Sequence, residues 1–129
     1  MSIRIMIVDD SRFVYEEMKW MLADTEFEVA AYCRDGESAV SAFQTTKPDL
    51  ITMDILLPGM DGFEAAQRIL QEDPTARIVF ISSLAYDDTI QQAKELGTSE
   101  FVFKPFDRAT LIQALTKTAC SQNTSKTRE

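Results

Sequence analysis

The stretch Ile3-Arg4-Ile5-Met6-Ile7-Val8-Asp9-Asp10-Ser11 decides the fold class of this chain. Its apolar part is short and nearly continuous, the pattern of a strand buried on both faces, and it stops at two carboxylates and a serine suited to cap a helix. Two more short apolar runs stop in the same way: Leu50-Ile51-Thr52-Met53 before Asp54, and Phe101-Val102-Phe103 before Lys104-Pro105. Strands covered on both faces belong to parallel sheets, and in an open parallel sheet the carboxyl ends of the strands line the edge where ligands bind. Asp9, Asp10, Asp54 and Lys104 are therefore expected to meet at one edge, although they are far apart in sequence. Three carboxylates and one ammonium there make a site for a divalent cation and a phosphoryl group.

Outward from these runs, Phe27 to Cys33 reads as the second strand and Arg77 to Ile81 as the fourth. Helical spacing of apolar residues fills the intervals. Val14, Met18, Met21 and Leu22 mark a helix from Asp10-Ser11 to about Ala23, and Ala39, Val40 and Phe43 mark one from Asp35-Gly36 to before Pro48. Phe63, Ala66, Ile69 and Leu70 mark a third, from Gly62 to Glu72, stopped by Asp73-Pro74. The stretch Ile55 to Asp61, with Pro58-Gly59 inside it, is a loop. Asp87 or Asp88 is expected to cap a fourth helix that Gly97 ends, and Asp107 a fifth that carries Leu111, Ile112 and Leu115. Five strand–helix alternations predict an α/β fold with a mostly parallel sheet and helices on both faces. One domain is expected over residues 1–119, with 120–129 a polar tail that lacks periodicity and frays.

Bulk properties narrow the function. With 129 residues, 45% apolar and 26% charged, the chain has the make-up of a single globular domain with a sizeable core. A formal net charge of −8 argues against direct contact with the nucleic-acid backbone or an electrostatic membrane anchor. No run approaches membrane-spanning length, and Cys33 and Cys120 form no CxxC pair, so free thiols in a reducing, cytoplasmic setting are expected. The chain has no histidine. Serine–histidine and cysteine–histidine catalysis are thereby removed, and any phosphoryl group must come from another molecule.

Each site residue also has a plainer reading. Asp10 can be an N-cap beside a solvated Asp9, Asp54 a turn-initiating aspartate, and Lys104 a surface lysine before a helix. Taken together they are more coherent. Oxygen ligands suit Mg²⁺, which usually takes one or two protein carboxylates. A carboxylate at Asp54 can act as a nucleophile, and a lysine offers a phosphoryl oxygen a point charge. Proline at 105 makes a cis bond cheap, which would turn the chain and aim the ammonium back along the edge. Ser82 and Ser83, after Val79-Phe80-Ile81, lie on the same edge with hydroxyls to offer. Three carboxylates against one lysine leave the cluster at −2, an excess that a divalent cation cancels.

Val8-Asp9-Asp10-Ser11, Met53-Asp54, Pro58-Gly59-Met60-Asp61-Gly62, Ser82 and Lys104-Pro105-Phe106 stand in the order found in the receiver domain of two-component response regulators. The chain resembles that family over roughly residues 2 to 118, and most of all its stand-alone chemotaxis-type members. The resemblance implies a flavodoxin-like, doubly wound sheet of order 2-1-3-4-5. It implies that Asp54 takes a phosphoryl group from a phosphohistidine on a sensor histidine kinase, or from an acyl phosphate. It further implies that Asp10, Asp54 and the backbone carbonyl of Leu56 bind Mg²⁺ directly, with Asp9 orienting it through water. Ser82 and Lys104 would hold phosphoryl oxygens. Ser82 and Phe101 would form the switch to an output face of helix 4, strand 5 and helix 5, which meets an unidentified downstream protein. Monomer and phosphorylation-dependent dimer both fit, and catalysis would be confined to the protein's own phosphorylation and dephosphorylation.

Departures from the family pattern carry expectations of their own. Phe101 stands where tyrosine is frequent, and Leu57 where methionine is frequent. Leu56 and Leu84 put apolar groups where fast-cycling members have polar ones, which implies slow self-dephosphorylation. Other readings are a receiver piece of a longer regulator with a DNA-binding output domain, a phosphorelay intermediate, and an unphosphorylated scaffold. An Mg²⁺-dependent aspartyl-phosphate phosphohydrolase is opposed by Leu56, which occupies the place of the second acid such enzymes want. A flavin-binding flavodoxin is opposed by the lack of a Ser/Thr/Gly-rich loop after the first strand.

Overall fold

In the computed structural model ten elements alternate: β1 (Ile3–Val8), α1 (Arg12–Leu22), β2 (Phe27–Cys33), α2 (Gly36–Thr46), β3 (Leu50–Met53), α3 (Gly62–Glu72), β4 (Ile78–Ser82), α4 (Asp87–Glu95), β5 (Phe101–Phe103) and α5 (Arg108–Thr127). The structure describes residues 2–84, 86–98 and 100–127. All five strands are parallel and ordered β2-β1-β3-β4-β5, the doubly wound order expected.

Side-chain alternation along the central strands builds two cores. Met6 and Val8 of β1, Ile51 and Met53 of β3, and Ile78 and Phe80 of β4 join Ala39 and Phe43 of α2 and Phe63, Ala66 and Ile69 of α3. Ile5 and Ile7, Leu50, Val79 and Ile81 point the other way, onto Met18 and Leu22 of α1 and Leu111 and Leu115 of α5. Both faces are therefore covered, which is why the central strands read as continuous apolar runs rather than alternating ones. Thr52 of β3 and Ser82 of β4 are buried polar residues in these strands, and the Thr52 hydroxyl has no hydrogen-bond partner.

Caps place most helix starts where the sequence marks them. Ser11, Asp35 and Asp61 accept the N–H of Val14, Ser38 and Glu64 through their side chains, and Asp107 accepts that of Thr110. Gly97, at φ +94°, follows α4 in the left-handed conformation that ends a helix.

Three elements differ from expectation in their bounds. Tyr86, not Asp87 or Asp88, is the N-cap of α4, and it makes no side-chain cap bond. Both aspartates lie in the first turn, where their charge still favours the helix dipole. β4 starts at Ile78 and takes in Ser82, one residue later than predicted at each end. Leu70 faces inward as expected, half-buried against the core that holds Phe63, Ala66 and Ile69, and Ala65, which the spacing did not mark, is fully buried beside them. Finally, α5 runs on to Thr127 through most of the expected tail. No glycine or proline follows Pro105, and loss of apolar periodicity does not stop a helix whose hydrogen bonds are already propagating. Residues 128 and 129 of that tail lie outside the described residues.

Candidate functional site

The site residues follow the strands, yet their backbones remain on the sheet's hydrogen-bond ladder. Asp9 N–H donates to the Cys33 carbonyl at 3.0 Å, Asp54 N–H to that of Val8 at 2.9 Å, and Lys104 N–H to that of Ser82 at 3.0 Å. Each functional side chain thus starts from a backbone fixed by the neighbouring strand. The Lys104–Pro105 bond is cis.

From these anchors the side chains converge. Lys104 Nζ donates to Asp9 Oδ2 at 2.8 Å and to Asp54 Oδ2 at 3.0 Å. Asp9 and Asp54 are buried and Asp10 is exposed. One carboxylate oxygen from each of the three lies within 4.8 Å of those of the other two. Asp9 also accepts the N–H of Ser11 through Oδ1 at 2.9 Å, so both of its oxygens are engaged. The solvated Asp9 of the plainer reading is thereby corrected: the residue is almost fully enclosed because Lys104 and the start of α1 close over it.

One ammonium between two buried carboxylates leaves the pair undercompensated. Burial pushes the Asp54 carboxyl above the usual carboxylate range, and the charge of Asp9 pushes it further. Lys104 pulls it back only in part. For Lys104, burial disfavours the charged form, but the hydrogen bond to Asp9 and the charges of Asp54 and Asp9 outweigh it, so its pKa is raised. Three carboxylates against one ammonium leave negative charge in excess, and at Asp54 the charge of Asp9 adds to burial, the larger cause.

That excess bears on the metal the fold implies. The donors are all oxygen, three carboxylates converge, and one of them stands open to solvent. Mg²⁺ takes oxygen ligands, uses one or two carboxylates and keeps several waters, so the donor set fits.

Around the cluster, Ser82 is fully buried and its Oγ accepts the N–H of Leu84 at 3.1 Å, whereas Ser83 is exposed. Leu56, two residues past Asp54, leaves its side chain 57% exposed on the loop before α3. Phe101 is half-buried against the α2–α3 core, with its ring 5.2 Å from that of Phe103. Two contacts were not foreseen. Arg34 donates to the Asp10 carbonyl at 3.1 Å. Gly62, read from the sequence as a motif residue and the start of the third helix, packs directly on the backbone of Asp54. A glycine one residue past a helix-capping aspartate is the only sequence signal for that contact, and it names no partner.

The arrangement can hold a cation against two or three carboxylates, present Asp54 as a nucleophile, and place an ammonium beside it. Against known proteins, the chain matches the response regulator receiver domain model over residues 5–116. It is 38% identical over 118 residues to chemotaxis protein CheY of Bacillus subtilis, covering 92% of this chain and 98% of that protein. It is 35% identical over 117 residues to chemotaxis protein CheY of Listeria monocytogenes, with 91% and 98% covered. Its fold matches a chain in the crystal structure of the CheX–CheY–BeF3–Mg²⁺ complex of Borrelia burgdorferi with a TM-score of 0.85 at 30% identity, covering 89% of this chain and 87% of that one.

Proposed function

The chain belongs to the response regulator receiver domain family, and from that premise we propose that Asp54 accepts a phosphoryl group from a histidine kinase and that the modified protein engages a downstream protein partner. The observation that carries the reading is the ammonium of Lys104 held between Asp9 and Asp54 at the strand-end edge. A carboxylate oxygen of Asp54 attacks the phosphorus of a phosphohistidine. The new O–P bond forms as the P–N bond breaks, and the electron pair leaves with the imidazole. Lys104, already bonded to Asp54, follows the transferred group as a point charge on one of its oxygens. Ser82, fully buried on the adjacent strand, offers its hydroxyl to another.

Asp10, Asp54 and the Leu56 carbonyl would hold Mg²⁺, with Asp9 acting through water. When bound, the ion supplies the positive charge that the carboxylate cluster lacks and that incoming phosphoryl oxygens require. The output is a change of packing, since a modification shifts a conformational equilibrium only through contacts that differ between its states. Ser82 and Phe101 are the two switch side chains. Tyr86, at the start of α4, is 68% exposed, and Phe103, at the end of β5, is 43% exposed, and these apolar surfaces fit a protein-binding face. The receiver unit spans residues 1–119. Chemotaxis or motility is the pathway favoured by likeness to the chemotaxis proteins, and a cytoplasmic location accords with the free thiols. Among the described residues no helix is long and apolar enough to cross a membrane.

Intact mass after incubation with acetyl phosphate and Mg²⁺ tests the reading. One phosphoryl adduct is expected, absent from Asp54→Asn and from a sample treated with chelator. An adduct that survives Asp54→Asn refutes the assignment of the acceptor.

A further inference from the structure

Where β3 passes into its loop, the backbone of Asp54 and Ile55 runs against the first residue of α3. Gly62 N–H donates to the Ile55 carbonyl oxygen at 2.8 Å. A Cβ on Gly62 would lie 2.0 Å from the Asp54 carbonyl oxygen, 2.8 Å from Ile55 Cα and 2.9 Å from the Asp54 carbonyl carbon. All three are backbone atoms, so no flexible side chain can swing aside. Asp54 is therefore held from three sides: its N–H by Val8, its carboxylate by Lys104, and its carbonyl by the start of α3. Asp61 secures that start by accepting the Glu64 N–H at 2.9 Å.

We infer that Gly62 is a positioning residue for the phosphoacceptor: lacking a side chain, it lets α3 close on the Asp54 backbone and so sets where the Asp54 carboxylate stands relative to Lys104 and Asp9-Asp10. The inference rests on the reading of Asp54 as acceptor. Relief of the clash to ordinary contact, from 2.0 Å to 3.4 Å, requires a backbone displacement of about 1.4 Å. Misplacing reacting groups by about 1 Å can slow a reaction about a hundredfold. A glycine needed only for stability would instead lower the melting temperature and leave the chemistry of the folded molecules unchanged.

Four proteins decide between these: wild type, Gly62→Ala, Asp61→Ala and Ala66→Gly. The last weakens the same helix from its buried face about one turn further along. The readouts are the Asp54 and Ile55 amide resonances of metal-free protein, the Mg²⁺ dissociation constant, and the rate of adduct formation with acetyl phosphate, all well below the melting temperature. Gly62→Ala is expected to shift both resonances, weaken Mg²⁺ binding and slow adduct formation by about ten- to a hundredfold. Ala66→Gly is expected to melt earlier with site properties within about twofold of wild type. If Gly62→Ala does not fold, Asp61→Ala carries the test, because it frees the first turn of α3 without adding an atom. It is then expected to slow adduct formation by about threefold or more relative to Ala66→Gly. Site properties in the Gly62 or Asp61 variant equal to those of Ala66→Gly overturn the inference. A wild type that forms no adduct overturns instead the reading of Asp54 as acceptor, and the resonances and Mg²⁺ affinities then decide the positioning role alone.

Discussion

Lys104→Met keeps most of the side-chain stem and deletes the ammonium that Asp9 and Asp54 share at 2.8 and 3.0 Å. The lysine side chain is 20% exposed and the carboxylates 3% and 7%, so water screens this group only weakly. Without the ammonium, two buried carboxylates face each other with oxygens no more than 4.8 Å apart. At an effective dielectric constant of about 20 their repulsion is about 3 kcal/mol, at the lower end of the ~3–5 kcal/mol typical when one partner of a buried ion pair is removed. For a domain of this size the metal-free variant should melt about 10 °C below wild type at neutral pH. Circular dichroism melts with and without Mg²⁺ measure this directly. The sign of the pH dependence follows from the carboxylates. Lys104 is the neighbour that holds the Asp54 carboxyl down, so losing it raises that folded-state pKa further and the folded variant takes up a proton there more readily than the unfolded chain. Its penalty is complete at neutral pH and is relieved as pH falls through the raised pKa. Wild type behaves differently: the raised Lys104 pKa means that the lysine's contribution is lost only as pH rises through alkaline values. The gap should therefore narrow as pH falls into the acid range, narrow on adding millimolar Mg²⁺, and narrow in the double variant with Asp54→Asn, where Asp9 alone is left without its ammonium. A melting temperature within about 2 °C of wild type, or a gap that widens in acid, refutes the electrostatic account of this cluster.

Asp54→Asn alone should melt above metal-free wild type at neutral pH. Burial and Asp9 raise the Asp54 pKa, so ionised Asp54 opposes folding above that pKa, and the advantage of asparagine should shrink as pH falls through it; a lower melting temperature at neutral pH counts against this. Thr52→Val should stabilise by about 1 kcal/mol, because it replaces a buried hydroxyl that has no partner with a methyl of similar size; urea denaturation reads the change, and a loss of stability shows that the hydroxyl is satisfied after all. The aspartyl phosphate should decay slowly, since neither Leu56 nor Leu84 can orient an attacking water. Leu84→Glu should speed that decay about tenfold, measured by mass against time, and an equal rate in the two proteins removes the explanation.

Position along the chain and position in space were unequally legible in the sequence. Asp54 could be placed at the sheet edge because one short apolar run precedes it, and the same holds for Asp9 and Lys104. In each case the information is local, and the parallel fold converts it into a shared edge. The two-faced burial of β1 and β3 was legible for the same reason, whereas β5, read as buried in the same way, is an edge strand whose Phe103 is 43% exposed. The end of α5 was not, because a polar helix without glycine or proline carries no stop signal. Nor was the cap of α4, where two aspartates that look like caps sit one and two residues too late and act only through their charge.

The distances that make the site work belong to a third kind of information. That Lys104 reaches Asp9 as well as Asp54 depends on the relative height of three strand ends, which is set by registers such as Val8 with Met53, Met53 with Phe80, and Ser82 with Phe103. No single run encodes those pairings. They follow from packing two cores against opposite faces of one sheet, and a slip of one residue in any strand would exchange its buried faces. The same packing brings Gly62 onto the Asp54 carbonyl, a contact between residues that the sequence separates by a loop. A receiver signature can therefore be read from strand-end residues alone, while the tuning of its acceptor resides in backbone approaches that only the folded sheet creates. Substitutions at Gly62 and Lys104 probe those two levels separately, since one displaces the acceptor and the other leaves it in place with its charge unbalanced.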